Sequence, residues 1–346
     1  MTHAGEVAVQ RRAGVRRAGE LGSARTRPEI PEVAGEFLRA QRMLVVGAAD
    51  ASGRVWASTL TGPAGFARPY GERTVVIDAL PGAHDPLAGV FGGPGQRAPG
   101  PAGTGGGHGK GSAPGTGGGH EIGMLAIEPA TRRRMRVNGR ARRDGDRLVV
   151  RTEQVYANCP KYIQTRTITE ELVPANVRAR TGEVLTAGQR ARIERADTFF
   201  VATRAEGLGA DVSHRGGTPG FVRVLGERRL VWPEYAGNMM YMTLGNLELD
   251  ERCGLLFPDW ESGDALHLTG RARVDWDPRG VPGAERLVGF DVDGVVHVGG
   301  AIPLRWTFGD YSRHNPASGS HDPGAPGDRI ASRGASRPPE REGESL

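Results

Sequence analysis

The sequence predicts a mainly β protein: two tandem barrels forming a pseudo-dimer within one chain, with short flanking helices. Three observations carry this expectation. Short apolar runs such as Met43-Leu44-Val45-Val46 and Thr74-Val75-Val76-Ile77 alternate with Gly- and Pro-rich turns, the pattern of antiparallel barrels or sandwiches. The stretch from Met43 matches the stretch from Thr198 at an offset of 155: Ser58 meets Ser213, Gly62 meets Gly217, and Gly71-Glu72-Arg73 meets Gly226-Glu227-Arg228. From Gly123 the match continues at an offset of 131, with Gly139-Arg140-Ala141-Arg142 meeting Gly270-Arg271-Ala272-Arg273. The fall from 155 to 131 means the first copy carries 24 extra residues, placed between Ile77 and Gly123. A repeat of one fold implies a two-fold-like pair with a ligand at the interface.

Taken in order, residues 1–28 form an Arg-rich arm with a helix over 5–21, either solvated or docked, which Pro28 and Pro31 end. Residues 32–41 read as a second helix with Val33, Phe37 and Leu38 on one face. Strands at 43–46, 55–60 and 74–77 begin the first barrel, assigned to 29–155. Residues 92–120 interrupt it with a glycine-rich direct repeat, expected to be disordered. Gly109-Lys110 there is followed by Gly111 where a phosphate loop needs Ser or Thr. Strands resume at 123–127, 135–141 and 148–150. The linker, 156–190, is expected to hold a helix capped by Asn158 or Cys159 with Pro160 in its first turn. A further helix spans 187–196. The second barrel covers 191–309, with strands at 198–202, 229–232, 253–257, 265–270, 286–290, 295–298 and 304–308. The tail 310–346 is rich in Ser, Pro, Gly and charge and is expected to be disordered.

Composition excludes several classes. Of 346 residues, 54 are Gly and 24 Pro, which fits many turns and long irregular segments. No run of 18 apolar residues exists, so no transmembrane helix is expected. The N-terminus has arginines but no apolar h-region, which argues against a secretory signal. Two cysteines, Cys159 and Cys253, without a CxxC, fit a reducing cytoplasm and no metal site. The net charge is +5, and Arg132–Arg143 holds seven arginines and no acid. With no interleaved aromatics, that run reads as a solvated strand face, partly facing a phosphate, rather than a nucleic-acid surface.

The chemistry-bearing stretch is Ser213-His214-Arg215-Gly216-Gly217, followed by Arg223. A hydroxyl, an imidazole and guanidiniums beside permissive backbone suit a phosphate. With Asn238–Leu247, Asp250–Phe257, Leu268–Ala272 and Asn158-Cys159-Pro160-Lys161, this stretch resembles the pyridoxamine 5'-phosphate oxidase-like family, the FMN-binding split barrels, in a tandem two-barrel bacterial subgroup. The resemblance covers residues 37–308. It implies FMN at the barrel interface, with Ser213, His214, Arg215, Gly216, Arg223, Asn238, Asn246 and Lys161 as cofactor-binding candidates and no catalytic side chain assigned. The family's phosphate lysine after the third strand has no counterpart in 233–254, which places more of the charge on Arg215. His214-Arg215 is Thr59-Leu60 in the first copy, so one competent site is expected. The implied activity is a flavin-dependent oxidoreductase acting on a small molecule or electron donor, with a separate reductase among its partners, as a monomer or homodimer. A non-catalytic module for flavin, haem or deazaflavin is the alternative.

Overall fold

The computed structural model describes residues 2–18, 20, 26–92, 119–173 and 177–316. Residues 93–118 and 317–346, which hold most of the glycine-rich insertion and of the tail, lie outside the described residues.

The first barrel contains β1 (Met43–Ala49), β2 (Val55–Thr61), β3 (Ala67–Pro69), β4 (Thr74–Ile77), β5 (His120–Glu128), β6 (Arg133–Asp144) and β7 (Arg147–Ala157). They form one sheet in the order β2-β1-β5-β6-β7-β4-β3. After β8 (Arg166–Glu171) and β9 (Arg178–Gly182), the second barrel uses β10 (Thr198–Ala205), β11 (Gly209–Gly216), β12 (Arg223–Val224), β13 (Arg229–Tyr235), β14 (Arg252–Pro258), β15 (Ala265–Asp275) and β16 (Ala284–Gly299). Its order, β11-β10-β14-β15-β16-β13-β12, is the same path strand for strand, with β9 added beside β16. β17 (Leu304–Phe308) pairs separately with β8. Each sheet sends side chains from strands far apart along its path to one core, so each must roll up. Leu60, Met124, Val150 and Val75 meet in the first core. Phe199, Leu255, Phe290 and Leu230 meet in the second.

The repeat is kept to the residue. Val46 pairs with Ser58 and Met124, and Val201 pairs with Ser213 and Leu255, which preserves both sequence offsets. Each barrel has a bulge at the equivalent step, Asn138/Gly139 and Thr269/Gly270. A Cβ on Gly139 or Gly270 would overlap the carbonyl oxygen of Arg151 or Asp291, so the bulge needs glycine in both copies.

The barrels pack back to back through Val45, Ala57 and Leu125 on one side and Phe200, Ala202 and Leu256 on the other. Close approach is set by glycines. A Cβ on Gly123 would lie 2.6 Å from the Asp211 carbonyl carbon, and one on Gly254 would lie 2.6 Å from the Trp56 Cα. These two contacts exchange under the repeat. Gly47 meets its own counterpart: its Cβ would lie 2.7 Å from the Ala202 Cβ. Such reciprocity is the mark of an isologous, two-fold-like interface.

Four helices among the described residues flank the barrels: α1 (Ala4–Arg12), α2 (Glu32–Ala40), α3 (Ala187–Arg195) and α4 (Met242–Leu249). α3 begins with a Thr186–Gln189 capping box. Three expectations are corrected. Val33 is 63% exposed, and the buried stripe of α2 is Ala34, Phe37 and Leu38. The linker helix at Asn158 does not form. The Asn158 N–H bonds Arg134 O, the Tyr162 N–H bonds Ser312 Oγ, and the Thr165 N–H bonds Asp310 O. Tertiary acceptors thus replace the i−4 carbonyls, and Tyr162 sits at φ +65°. α1 docks on α4 rather than standing in solvent; it ends at Ala13 and Gly14, short of the expected residue 21. Gly5 and Gly245 allow the two helices to touch backbone to backbone. No helix among the described residues is long and apolar enough to cross a membrane.

Two outcomes follow. Gly123→Leu should lower unfolding free energy by about 1–3 kcal/mol or more, because overpacking forces the sheets apart; an unchanged urea midpoint would contradict the close approach. The second concerns Glu6, on the buried face of α1, whose carboxyl is pushed up to about 7 by burial and then by nearby Asp211. An acid with a raised folded pKa stabilises below its unfolded value and loses that contribution as pH rises to about 7. Burial lowers the pKa of His3 beside it, which has the opposite slope. The difference between wild type and Glu6→Gln isolates Glu6: wild type should gain relative stability as pH falls from 7 to 5 in urea melts. A constant difference would contradict it.

Candidate functional site

At the interface a cleft of about 830 Å³, its open mouth included, is walled by both barrels. Most of that volume is the open mouth; the enclosed space is about 100 Å³, below the roughly 300–1,000 Å³ of cofactor pockets, so a cofactor would occupy the mouth as well. From the second barrel come His214, Arg215 and Gly216 on β11, Glu234 and Tyr235 on β13, the turn 237–241, Thr243 on α4, and Arg286 on β16. From the first come Arg134 and Arg136 on β6, then Asn158, Cys159 and Lys161 after β7. Five cations and one carboxylate therefore line it.

Strand alternation puts Arg134, Arg136 and Asn138 on the face of β6 that meets β11. Arg136 is the structural one. It pairs with Asp211 at 3.1 Å and donates to Tyr156 at 2.8 Å and to Ser213. Asp211, 1% exposed, also accepts from Asn138 at 3.3 Å, Ser213 at 3.3 Å and Thr243 at 3.2 Å. Burial opposes the Arg136 charge, but Asp211 and Tyr156 outweigh it and raise its pKa. The pair is thus fully satisfied on the acid side.

Arg134 differs. It donates to His214 Nδ1 at 3.0 Å, and no carboxylate among the described residues pairs with it. Burial, then Arg136 and Arg215, push its pKa down to about 9. Its Nε has no partner. His214 is 4% exposed, and burial with Arg134 and Arg215 pushes its pKa well down, so it is neutral. An arginine only donates, so Nδ1 accepts and the proton sits on Nε2, which also has no partner. Arg215 is neutralised by Glu234, with Nε 2.5 Å from Oε1, and Trp232 Nε1 donates to the same oxygen at 3.0 Å. Arg286 contacts Glu285 at 2.7 Å and lies over Tyr241 and Trp276, but its Nε is also unpartnered. Cationic groups with spare donors, in a cleft short of counter-charge, fit a bound anion. One unit charge 4 Å from Arg134 would gain roughly 4 kcal/mol at an effective dielectric of 20.

Of the residues singled out in the sequence, His214, Arg215, Gly216, Asn238 and Lys161 line this cleft. Three do not. Ser213 is buried in the Asp211 network behind it. Asn246 is buried between Thr203 at 3.0 Å and His3 at 2.9 Å. Arg223 lies on β12, off the cleft wall. Sequence reading did not assign Arg134, Arg136, Thr243 or Arg286 individually. The period-2 spacing of Arg134, Arg136 and Asn138 was the available signal. Cys253 is buried and its thiol is pushed up by that burial, which makes it inert.

Under the repeat, Arg134, Arg136, His214 and Arg215 correspond to Ala265, His267, Thr59 and Leu60. Asp85, beyond the last aligned residue of the first copy before its insertion, lies at this mirrored place, and its carboxylate accepts from Ser58, the counterpart of Ser213, and from the Leu87 N–H at 2.8 Å. The mirrored position thus loses the arginines and gains an acid.

The Asp211 network yields a test. Arg136→Met strands a buried carboxylate and should cost about 3–5 kcal/mol, whereas Arg136→Met with Asp211→Asn should recover most of it. Equal urea midpoints for the single variant and wild type would contradict the pairing.

No protein-family model matches the chain, and no curated protein matches it. Solved structures show weak likeness. A Lactobacillus delbrueckii protein provisionally described as a pyridoxamine 5'-phosphate oxidase is 17% identical, over 37% of this chain and 98% of its own, with TM-score 0.28. A Clostridium acetobutylicum protein of the pyridoxinephosphate oxidase family is 14% identical over 34% and 89%, with TM-score 0.24. A Mycobacterium smegmatis FAD binding protein is 11% identical over 34% and 98%, with TM-score 0.23.

Proposed function

We propose that the cleft binds one FMN per chain and that the protein is a flavin-dependent oxidoreductase acting on a small molecule. The observation that carries this reading is Arg134: a guanidinium at the barrel interface with no carboxylate partner among the described residues, beside the unpartnered Nε2–H of His214. A phosphate dianion in the cleft would give Arg134 the counter-charge it lacks, with Lys161 as a further donor at the same wall. Tyr162, Tyr235, Phe221 and Met239 supply apolar surface for a flat ring. Tyr162 and Tyr235 already pack with ring centroids 5.2 Å apart. The sequence resemblance supports a flavin as the ring-bearing anion. A bound flavin supplies hydride or single-electron transfer. The chain's own contribution is to hold the phosphate, orient the ring and limit water.

A second reading is a flavin-binding module without turnover, served by a separate reductase. It is favoured by His214, whose Nδ1 already accepts from Arg134 and whose burial pushes its pKa well down, so it does not serve as a charged proton donor. Reduction of bound FMN by NADPH or NADH, followed by reoxidation in air with consumption of a substrate, separates the two.

Arg134→Met keeps the volume and removes the unpaired charge. It should weaken FMN binding by at least about tenfold, roughly the value of one charge-assisted hydrogen bond, while the fold is retained. Arg215→Ala should weaken it too, with part of the loss arising from an unpaired Glu234. Fluorescence titration of FMN measures both; equal affinity in wild type and Arg134→Met would sink the assignment.

A further inference from the structure

The cleft wall at residues 238–244 is an unusual piece of backbone. Met239 and Tyr241, neither of them glycine, have φ values of +61° and +56°. Such residues persist only where their surroundings over-determine them. The surroundings here come from α1, more than 220 positions away in sequence. Gln10 is 0% exposed, and its Nε2 donates to Met240 O at 3.2 Å and to Met239 O at 3.4 Å. His3 Nε2 lies 2.9 Å from Asn246 Oδ1, and Gly5 abuts Gly245 on α4. The Arg12 guanidinium lies 4.6 Å over the Trp276 ring, which in turn packs against Arg286 of the cleft. A nine-residue helix is marginal alone, so α1 exists as a helix because it docks here. The Gln10, His3 and Gly5 contacts fall on the 239–240 turn or on α4, and the Arg12 contact falls on Trp276, which packs against Arg286 of the cleft.

We propose that α1 is a positioning element for the cleft, with Gln10 holding the Met239–Tyr241 turn in the form that presents Asn238, Tyr241 and Thr243 to the ligand. The ligand-binding part of this proposal rests on the reading of the cleft as a flavin site; the ordering of the turn does not. Gln10 is a positioning residue, since it touches backbone carbonyls and not the cleft. Removing its amide leaves two carbonyls without that donor in a buried setting.

The test uses the full chain with two variants, Gln10→Ala and Val150→Ala. Val150 is a buried residue of the first barrel's core on β7, away from α1 and the cleft, so Val150→Ala lowers stability while α1 stays intact. Gln10→Ala should speed amide exchange at Met240 and Gly245 and raise the FMN dissociation constant, each by about tenfold. Val150→Ala should lower the melting temperature yet leave exchange at those amides and FMN affinity within about twofold of wild type. Unchanged exchange at 239–245 in Gln10→Ala overturns the proposal. So does an affinity loss that follows melting temperature alike in both variants. If wild type binds no FMN, the flavin reading fails, and the exchange result alone decides whether α1 orders the turn.

Discussion

Everything in this structure depends on how closely the two sheets approach. At Gly47, Gly123 and Gly254 there is no room for a side chain, and the opposing surfaces are backbone or the methyls of Val212 and Ala202. That proximity lets β6 of one barrel reach β11 of the other. It brings Arg134 to His214, Arg136 to Asp211 and Ser213, and Asn138 to Asp211. The interface is therefore more than an apolar seam. It has a buried polar spine, in which Asp211 is satisfied from both barrels, and a cationic mouth beside it.

The spine and the mouth have different physics. Arg136 and Asp211 cancel each other's charge, so the pair specifies the docking of the barrels. Arg134, one strand period away, has no such partner, and its pKa is pushed down by the burial and like charges around it. Two arginines on one strand face thus differ in one respect: a carboxylate partners Arg136, and none among the described residues partners Arg134. The mirrored position shows the other outcome. There Ala265 and Leu60 replace cations and Asp85 adds an acid, so the pseudo-symmetry of the backbone does not extend to the chemistry.

Much of the fold was legible in the sequence because strand period and repeat offset are local or linear signals. The offsets of 155 and 131 reappear as paired residues, and even the bulge glycines coincide. The site was legible only in part. His214, Arg215 and Gly216 stood out beside a glycine-rich turn, but Ser213 in the same motif faces the interior. Arg134 was visible only as part of a basic strand, since its role depends on a partner 80 positions away. α4 was missed because it is buried on nearly every side, which erases the amphipathic period. The linker helix failed because caps and Pro160 indicate where a helix can start, whereas tertiary acceptors decided that this one would not.

The central claim is that a two-fold-like backbone carries one anion-binding cleft. Fluorescence titration of the purified chain with FMN at concentrations well above the dissociation constant measures the number of sites directly. The account predicts saturation at one FMN per chain. Saturation at two would show that Thr59, Leu60, Ala265 and Asp85 also form a site, and no binding would show that the unpaired Arg134 does not serve this ligand.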